Sequence, residues 1–356
     1  MTTPHEIALL RLVAQRIANP PPATPTDTVR WLTAAQAQDF PGALTSIALR
    51  SAGGTRQAVH AALDAGEIVR SWPMRGTLHL LVAEDLPWVL GLTASRTLAR
   101  AAGRQAQLGL DPATLVRARD LAVEALVGGH RLRRDELLAV WNTAGLGTDA
   151  QRGYHLIWHL AQTGTLCFGP MADGEQQIVL VDEWIPQPRR PDREEALGEL
   201  AARYFRGHGP ATTRDFTRWA NLVAADVRVG LALARPTLAR IEVDGVEYLM
   251  DPLTPELLDT DRARAGGVFL LPGFDEFILG YQDRSAVLPA EFADRIVPGN
   301  NGMFRPTVIA DGRVLGTWTR NRRGADQGVV ATPFRDFPPD VLDAIPLTYA
   351  RLPMPE

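Results

Sequence analysis

The chain contains no lysine: each of its 37 basic residues is an arginine. It has a single cysteine, Cys167, so no internal disulfide can form, and 7 histidines are too few to suggest a zinc framework. No apolar run approaches the ~20 residues that span a bilayer. Arg11 and Arg16 interrupt the apolar stretch from Ile7 to Ile17, which argues against a signal peptide. The expected setting is a reducing cytoplasm, with no membrane partner. Also missing are a Gly-rich phosphate loop, a G-x-S-x-G turn and a Cys/His nucleophile pair.

What is present describes a soluble globular protein: 356 residues, 46% hydrophobic, mean hydropathy −0.08. That length suggests two to four domains or subdomains. The formal net charge is −4, but a sum does not decide nucleic-acid binding, because the placement of the charges does. A basic set made only of arginines is read first as genomic base composition; the functional reading is that the guanidinium fork suits phosphates and carboxylates equally well.

The order of elements repeats. Ile7, Leu10, Ala14 and Ile17 lie at helical spacing, predicting a first amphipathic helix over 4–18 that Asn19-Pro-Pro-Pro22 ends. Thr24 to Thr28 reads as a loop. Helices are then expected from Gly42 to Arg50 and Thr55 to Ala65, with strands Ile68 to Trp72 and Gly76 to Val82. The same order recurs as helices Asp135 to Trp141 and Gln151 to Thr163, then strands around Ala172-Asp173-Gly174. A weaker third copy runs from Thr212 through a helix at 224–234 to a hairpin turned by Asp244-Gly245. Three helix-turn-helix-plus-hairpin pieces are the pattern of tandem winged helices, each too small to bury much alone.

Longer helices, 83–107 and from Pro112 to Val127, separate the first two copies, and 185–193 is a Pro/Arg-rich linker. Past residue 255 the texture becomes Gly-punctuated strands: 267–271, 276–279, 303–310, 313–319 and 328–331. The fold class is therefore α+β, mainly helical, with three tandem winged-helix units and a small C-terminal β subdomain. The expected divisions are a first winged unit at 1–82, a helical connector at 83–129, a second winged unit at 130–185, a third at 186–255 and the β subdomain at 256–356.

Several constellations carry possible chemistry. Gln36-Ala-Gln38 precedes Pro41, which disfavours helix at Phe40, while Asp39 or Thr33 is suited to cap a helix. In a continuous helix the two amides would point about 200° apart, at ~100° per residue, whereas outside a helix residues two apart share a face. The pair is therefore placed in a non-helical lead-in where both amides converge. Arg96, Arg100 and Arg104 form an i, i+4, i+8 stripe, either a solvated face or a track for a phosphate backbone. Arg75, Thr77 and His79 alternate on an expected strand as a polar strip, either an ordinary exposed face or one that meets phosphate. His155 and His159 share a helical face, but the acidic partner of an H-E-x-x-H site is absent, so packing or a DNA-facing role is expected. Asp275, Glu276 and Asp283 have the oxygen-donor chemistry of a magnesium nuclease site, although pairing with Arg284 or another arginine is the commoner use of such acids.

Taken together, certain stretches resemble the AlkZ-like DNA glycosylases of the winged-helix HTH_42 superfamily. They are Ala35-Gln36-Ala37-Gln38-Asp39 with Pro41-Gly42-Ala43 and Ala48-Leu49-Arg50, then Arg75-Gly76-Thr77-Leu78-His79-Leu80, Asp275-Glu276-Phe277 with Gly280-Tyr281 and Asp283-Arg284, and Arg305-Pro306 through Asp311-Gly-Arg-Val314 to Gly316-Thr-Trp318. They span almost the whole chain, and the glutamine motif is the most diagnostic, since a sister branch carries Gln-aliphatic-Asp. The resemblance implies tandem winged helices around a DNA cleft. It also implies a monofunctional glycosylase that hydrolyses the N-glycosidic bond of cationic N7-alkylguanine, including bulky adducts and interstrand crosslinks, in DNA repair or in self-resistance to a DNA-alkylating natural product.

Gln36 and Gln38 are then the expected catalytic pair: Gln38 positions a water and Gln36 supports the water or the sugar, with the reverse assignment open. Arg75, Thr77, His79, Arg96, Arg100 and Arg104 are the expected DNA contacts. No metal or cofactor is expected, and the partner is double-stranded DNA carrying alkylated purines, bound by a monomer. The rival reading is a non-catalytic winged-helix regulator or a drug-sequestering protein.

Overall fold

A computed structural model of the chain describes residues 3–321 and 328–353. Positions 1–2, 322–327 and 354–356 of the expected first and last divisions lie outside the described residues. The chain is α+β and forms two compact units. The first comprises 1–59, 197–219 and 223–356, and the second comprises 60–196 and 220–222.

The first unit is built around its N-terminal helix, Pro4–Ala14. Thr3 caps it by accepting the Glu6 N–H, and Pro4 fills a first-turn position where no N–H is needed. Every residue from Ile7 to Ala14 is buried, Arg11 included. The expectation of an amphipathic helix reaching residue 18 is thus corrected: the helix is buried on all sides and stops at Ala14, after which Arg16 turns the backbone at φ 58°. It packs on the helix Thr254–Ala265 within a core that includes Leu12, Leu258, Phe277 and Ile309.

A second correction falls at 24–28. The expected loop starts the helix Pro25–Leu32, because Thr24 caps Asp27 N–H and Pro25 stands in the first turn. The C-terminal part holds a four-stranded antiparallel sheet in the order Gly328–Pro333, Arg313–Asn321, Thr307–Ala310, Val268–Leu271. The helix Pro339–Ala350 covers it through Val341 and Ile345. The expected strand at 276–279 is instead a helical turn, Glu276–Leu279. Its cause is local: the Asp275 carboxylate accepts the Phe277 N–H at 2.9 Å, which starts a turn rather than a strand. The hairpin Ala239–Val243 with Val246–Met250 turns at Asp244-Gly245, both at positive φ as such two-residue turns require.

In the second unit four strands run antiparallel in the order Thr77–Val82, Ile68–Met74, Leu166–Ala172, Glu175–Leu180. The helices Leu86–Gln107, Pro112–Leu126, Arg134–Thr143 and Arg152–Gln162 accompany them. Trp72, Trp141, Leu156 and Leu166 are among the residues of that unit's core.

Candidate active site

The glutamine segment leaves the helix Pro25–Leu32 through Thr33, whose φ of 69° ends the helical path. It runs extended over Ala35–Gln36, and the next helix, Phe40–Leu49, starts only after Asp39 has capped it by accepting the Gly42 N–H at 3.2 Å. Both glutamines therefore lie outside a helix. Ala34, Ala35 and Ala37 are all buried, so the backbone here is sunk into the first unit. Gln36 is 8% exposed, and its Oε1 has no hydrogen-bond partner. Gln38 is exposed. A buried amide carbonyl without a donor is costly unless something supplies one.

Gln36 is held by its main chain. Its N–H donates to Glu276 Oε1 at 3.1 Å, and Glu276 is 1% exposed. The other carboxylate oxygen accepts the Trp219 indole N–H at 3.1 Å and faces His208 Nε2 at 3.3 Å. A ring nitrogen facing a carboxylate is the protonated one, which leaves Nδ1 of His208 as the buried, unpartnered nitrogen. His208 stacks on Tyr204 with centroids 4.8 Å apart, and its carbonyl accepts the Tyr281 hydroxyl at 2.6 Å. Burial pushes the hydroxyls of Tyr204 and Tyr281 well above the ordinary phenol range, so both stay neutral donors.

Beside this carboxylate lies a buried ion pair. Arg50 grips Asp275 with two bonds of 2.8 and 2.9 Å and donates to the Gln15 carbonyl at 2.9 Å, while Ser46 donates to Asp275 at 2.7 Å. Arg50 comes from the helix that follows the glutamines, so this pair fixes that helix to the turn carrying Glu276. Asp275 and Glu276 thus face different partners, and Asp283 is bound to its own loop through Ser285 N–H at 2.8 Å. Among the described residues no group of three or more acidic, histidine or cysteine side chains is arranged to hold a metal ion. Arginine pairing, which sequence reasoning ranked as the commoner use, is the one seen for Asp275.

The other candidates lie in the second unit. Arg75 is not on a strand as expected. With Gly76 it makes the turn between Ile68–Met74 and Thr77–Val82, at φ 56° and 72°, because a two-residue hairpin turn needs positive φ at both positions. His79 is fully buried rather than part of an exposed face. Its Nδ1–H donates to the Thr77 carbonyl at 2.8 Å, and its Nε2 accepts from Arg75 Nη2 at 2.9 Å. The imidazole therefore orients the guanidinium.

Arg96, Arg100 and Arg104 do share one face of Leu86–Gln107. Arg96 is half-buried on the carbonyls of Asn221 and Leu222, and the exposed Arg100 and Arg104 reach Asn221 Oδ1 and Gln151 Oε1. His159 accepts from the Gln105 amide at 3.0 Å, and burial lowers the pKa of both His155 and His159, which keeps them neutral.

Sequence reasoning missed Glu276, His208 and Trp219 as the frame behind Gln36. The available signal was two adjacent acids set in the apolar run Phe274 to Leu279, which marks carboxylates that are buried and therefore partnered.

Comparison with known proteins shows what the chain as a whole is similar to. The family model described as "DNA glycosylase AlkZ-like" matches residues 29–352. An "Interstrand DNA cross-link repair glycosylase" of Streptomyces sahachiroi is 28% identical over 322 residues, covering 87% of this chain and 85% of the relative. The solved structure of Streptomyces sahachiroi DNA glycosylase AlkZ superposes with a TM-score of 0.82 at 25% identity, over 99% of this chain and 96% of that one.

Proposed function

We propose, starting from the fact that this chain belongs to the AlkZ-like family of DNA glycosylases, that it hydrolyses the N-glycosidic bond of cationic N7-alkylguanine, with Gln36 and Gln38 as the catalytic pair. The observation that carries this reading is the buried Gln36 carbonyl oxygen without a donor, on a non-helical segment whose backbone is pinned to Glu276. An amide does not titrate usefully, so neither glutamine is a strong general base. An N7-alkylated purine already carries a positive charge and leaves readily. What such a reaction needs is an oriented water and a carbonyl dipole facing an oxocarbenium-like sugar. The exposed Gln38 positions the water, and the buried Gln36 supports the water or the sugar.

The lesions include bulky adducts and interstrand crosslinks, the lesion class in the name of the relative from Streptomyces sahachiroi. The setting is DNA repair, with self-resistance to a DNA-alkylating natural product as its specialised form. The scaffold is read as three tandem winged-helix pieces, each a helix pair with the hairpin at 68–82, 166–180 or 239–250. The protein acts on duplex DNA as a monomer in the cytoplasm. Arg75, Arg96, Arg100 and Arg104 contact the backbone, Thr77 lies beside them, and His79 serves by holding Arg75.

Duplexes carrying N7-methylguanine or a nitrogen-mustard crosslink, incubated with the protein and then cleaved at abasic sites, test the reading. Excision that falls roughly 100-fold or more in Gln36→Ala and Gln38→Ala is the expected result. Wild-type activity no higher than the double variant on every cationic lesion would sink it. Retention of the adduct with no abasic product would return the sequestering reading.

A further inference from the structure

A groove of about 670 Å³ opens in the first unit, lined by Arg218, Gln282, Arg284, Ser285 and Phe304 among others, and not by the glutamine pair. Arg284 is half-buried, donates Nε to the Ile278 carbonyl at 2.7 Å, and lies 5.0 Å from the centre of the Phe304 ring. Arg218 is exposed on the helix Thr213–Ala220. Among the described residues neither guanidinium has an ion pair. Burial first, and the neighbouring charge of Arg218 second, hold Arg284 below the ordinary arginine range, against a smaller opposite pull from Asp215. Arg214, one helical turn before Arg218, is differently placed: the Gln282 amide oxygen meets its Nε and Nη2 at 3.1 Å in the orientation that pairs donor with acceptor. Two acids also line the groove, but each is bound to local backbone, Asp283 to Ser285 N–H at 2.8 Å and Asp294 to Gly299 N–H at 2.7 Å.

Two neighbouring guanidiniums, one of them half-buried and neither paired, repel each other and carry a desolvation cost that an anion would relieve. Their planar forks match a phosphate's oxygens. We propose that this groove is a phosphodiester site in which Arg218 and Arg284 grip one backbone phosphate of the DNA, with Phe304 as its apolar wall. The choice of DNA over free phosphate rests on the glycosylase reading above. The site also shares its supports with the glutamine segment. Ile278, which holds Arg284, follows Glu276 in one helical turn, and Trp219, next to Arg218, donates to the Glu276 carboxylate. A phosphate seated here is therefore held in fixed register with the carboxylate that positions Gln36.

Fluorescence anisotropy of a labelled undamaged duplex over a salt series, run on the full chain and on Arg218→Ala, Arg284→Ala and Arg284→Lys, tests the site. Single-turnover excision of N7-methylguanine and thermal melting are measured in parallel. Arg218→Ala is expected to weaken binding roughly tenfold. It should also lower the slope of log affinity against log salt by about one, without changing the melting midpoint. Arg284→Lys keeps the charge and falls between wild type and Arg284→Ala.

An unchanged salt slope in a folded Arg218→Ala overturns the site, and if the wild type still excises the lesion it leaves the glycosylase reading standing. A reduced slope with no excision by the wild type does the reverse. Inorganic phosphate added at constant ionic strength separates the two sources. Competition that Arg218→Ala abolishes, together with a reduced DNA slope, supports the proposal. Phosphate binding with an unchanged DNA slope assigns the groove to free phosphate and overturns it.

Discussion

The main-chain N–H of Gln36 donates to the Glu276 carboxylate at 3.1 Å, across 240 residues of sequence. The same carboxylate takes the indole N–H of Trp219 and faces His208. A glutamine side chain can swing through several rotamers, but its Cα is fixed here by a buried anion. The consequence is a segment with little freedom at the backbone and an amide carbonyl left over.

Replacing Glu276 by Gln removes one of the two acceptor oxygens that Gln36, Trp219 and His208 share. The expected enzyme folds, keeps its KM, and loses kcat by roughly 10- to 100-fold, as a displacement of about 1 Å in a positioned group would cause. Glu276→Ala leaves buried donors unpaired and should lose about 3–5 kcal/mol of stability. Single-turnover excision with a melting curve checks both, and a Glu276→Gln enzyme at wild-type rate would remove this residue from the site.

The pair Arg50–Asp275 is fully buried and bidentate. Truncating either partner strands a charge in the interior, so Arg50→Ala and Asp275→Ala should each cost about 3–5 kcal/mol in urea unfolding. The double variant should cost clearly less than the sum, because the second truncation removes the stranded charge. Additive losses would show that the two side chains stabilise the fold separately.

At Gly42 a Cβ would collide with the Asp39 carboxylate, which caps the helix Phe40–Leu49. Gly42→Ala should therefore displace the cap, cost about 1 kcal/mol, and slow excision by shifting Asp39 and its neighbour Gln38. Gly91, with open space around it on Leu86–Gln107, is the control: Gly91→Ala should be neutral or slightly stabilising. Equal behaviour of the two variants in melting and excision would contradict the steric account.

Burial pushes the Cys167 thiol up to about 12 from an ordinary 9.0. Reagents that attack the thiolate should leave the native protein untouched at neutral pH and label it on unfolding. The unfolded chain releases this proton near 9.0 and the folded chain only near 12, so this group's contribution to stability is full below 9.0 and declines as pH rises toward 12. Fast labelling of the native protein at pH 7 would show that the strand Leu166–Ala172 opens.

Local signals in the sequence carried much of the architecture. The hairpins at Asp173-Gly174 and Asp244-Gly245 and the helices that Asp39 and Asp111 start all stand where short-range chemistry puts them. The failures have local causes too. The cap at Thr24 was readable but stood next to a proline run, and Asp275 turned an apolar strand-like stretch into a helical turn by one hydrogen bond. His79 looked like one member of an alternating polar strip, and nothing in its neighbours announced that its face is buried.

By itself the sequence placed Gln36 and Gln38 outside a helix, because a cap candidate at Asp39 acts within a few residues; the next helix starts at Phe40 with Pro41 in its first turn, two residues earlier than the proline was expected to allow. Only the tertiary structure decided that Gln36 is buried and Gln38 exposed, that Glu276 holds the first of them, and that Arg50 answers Asp275 rather than a metal. Those facts depend on which groups meet across more than 200 residues. No periodicity or capping rule carries that information, because burial and pairing are properties of the packed chain.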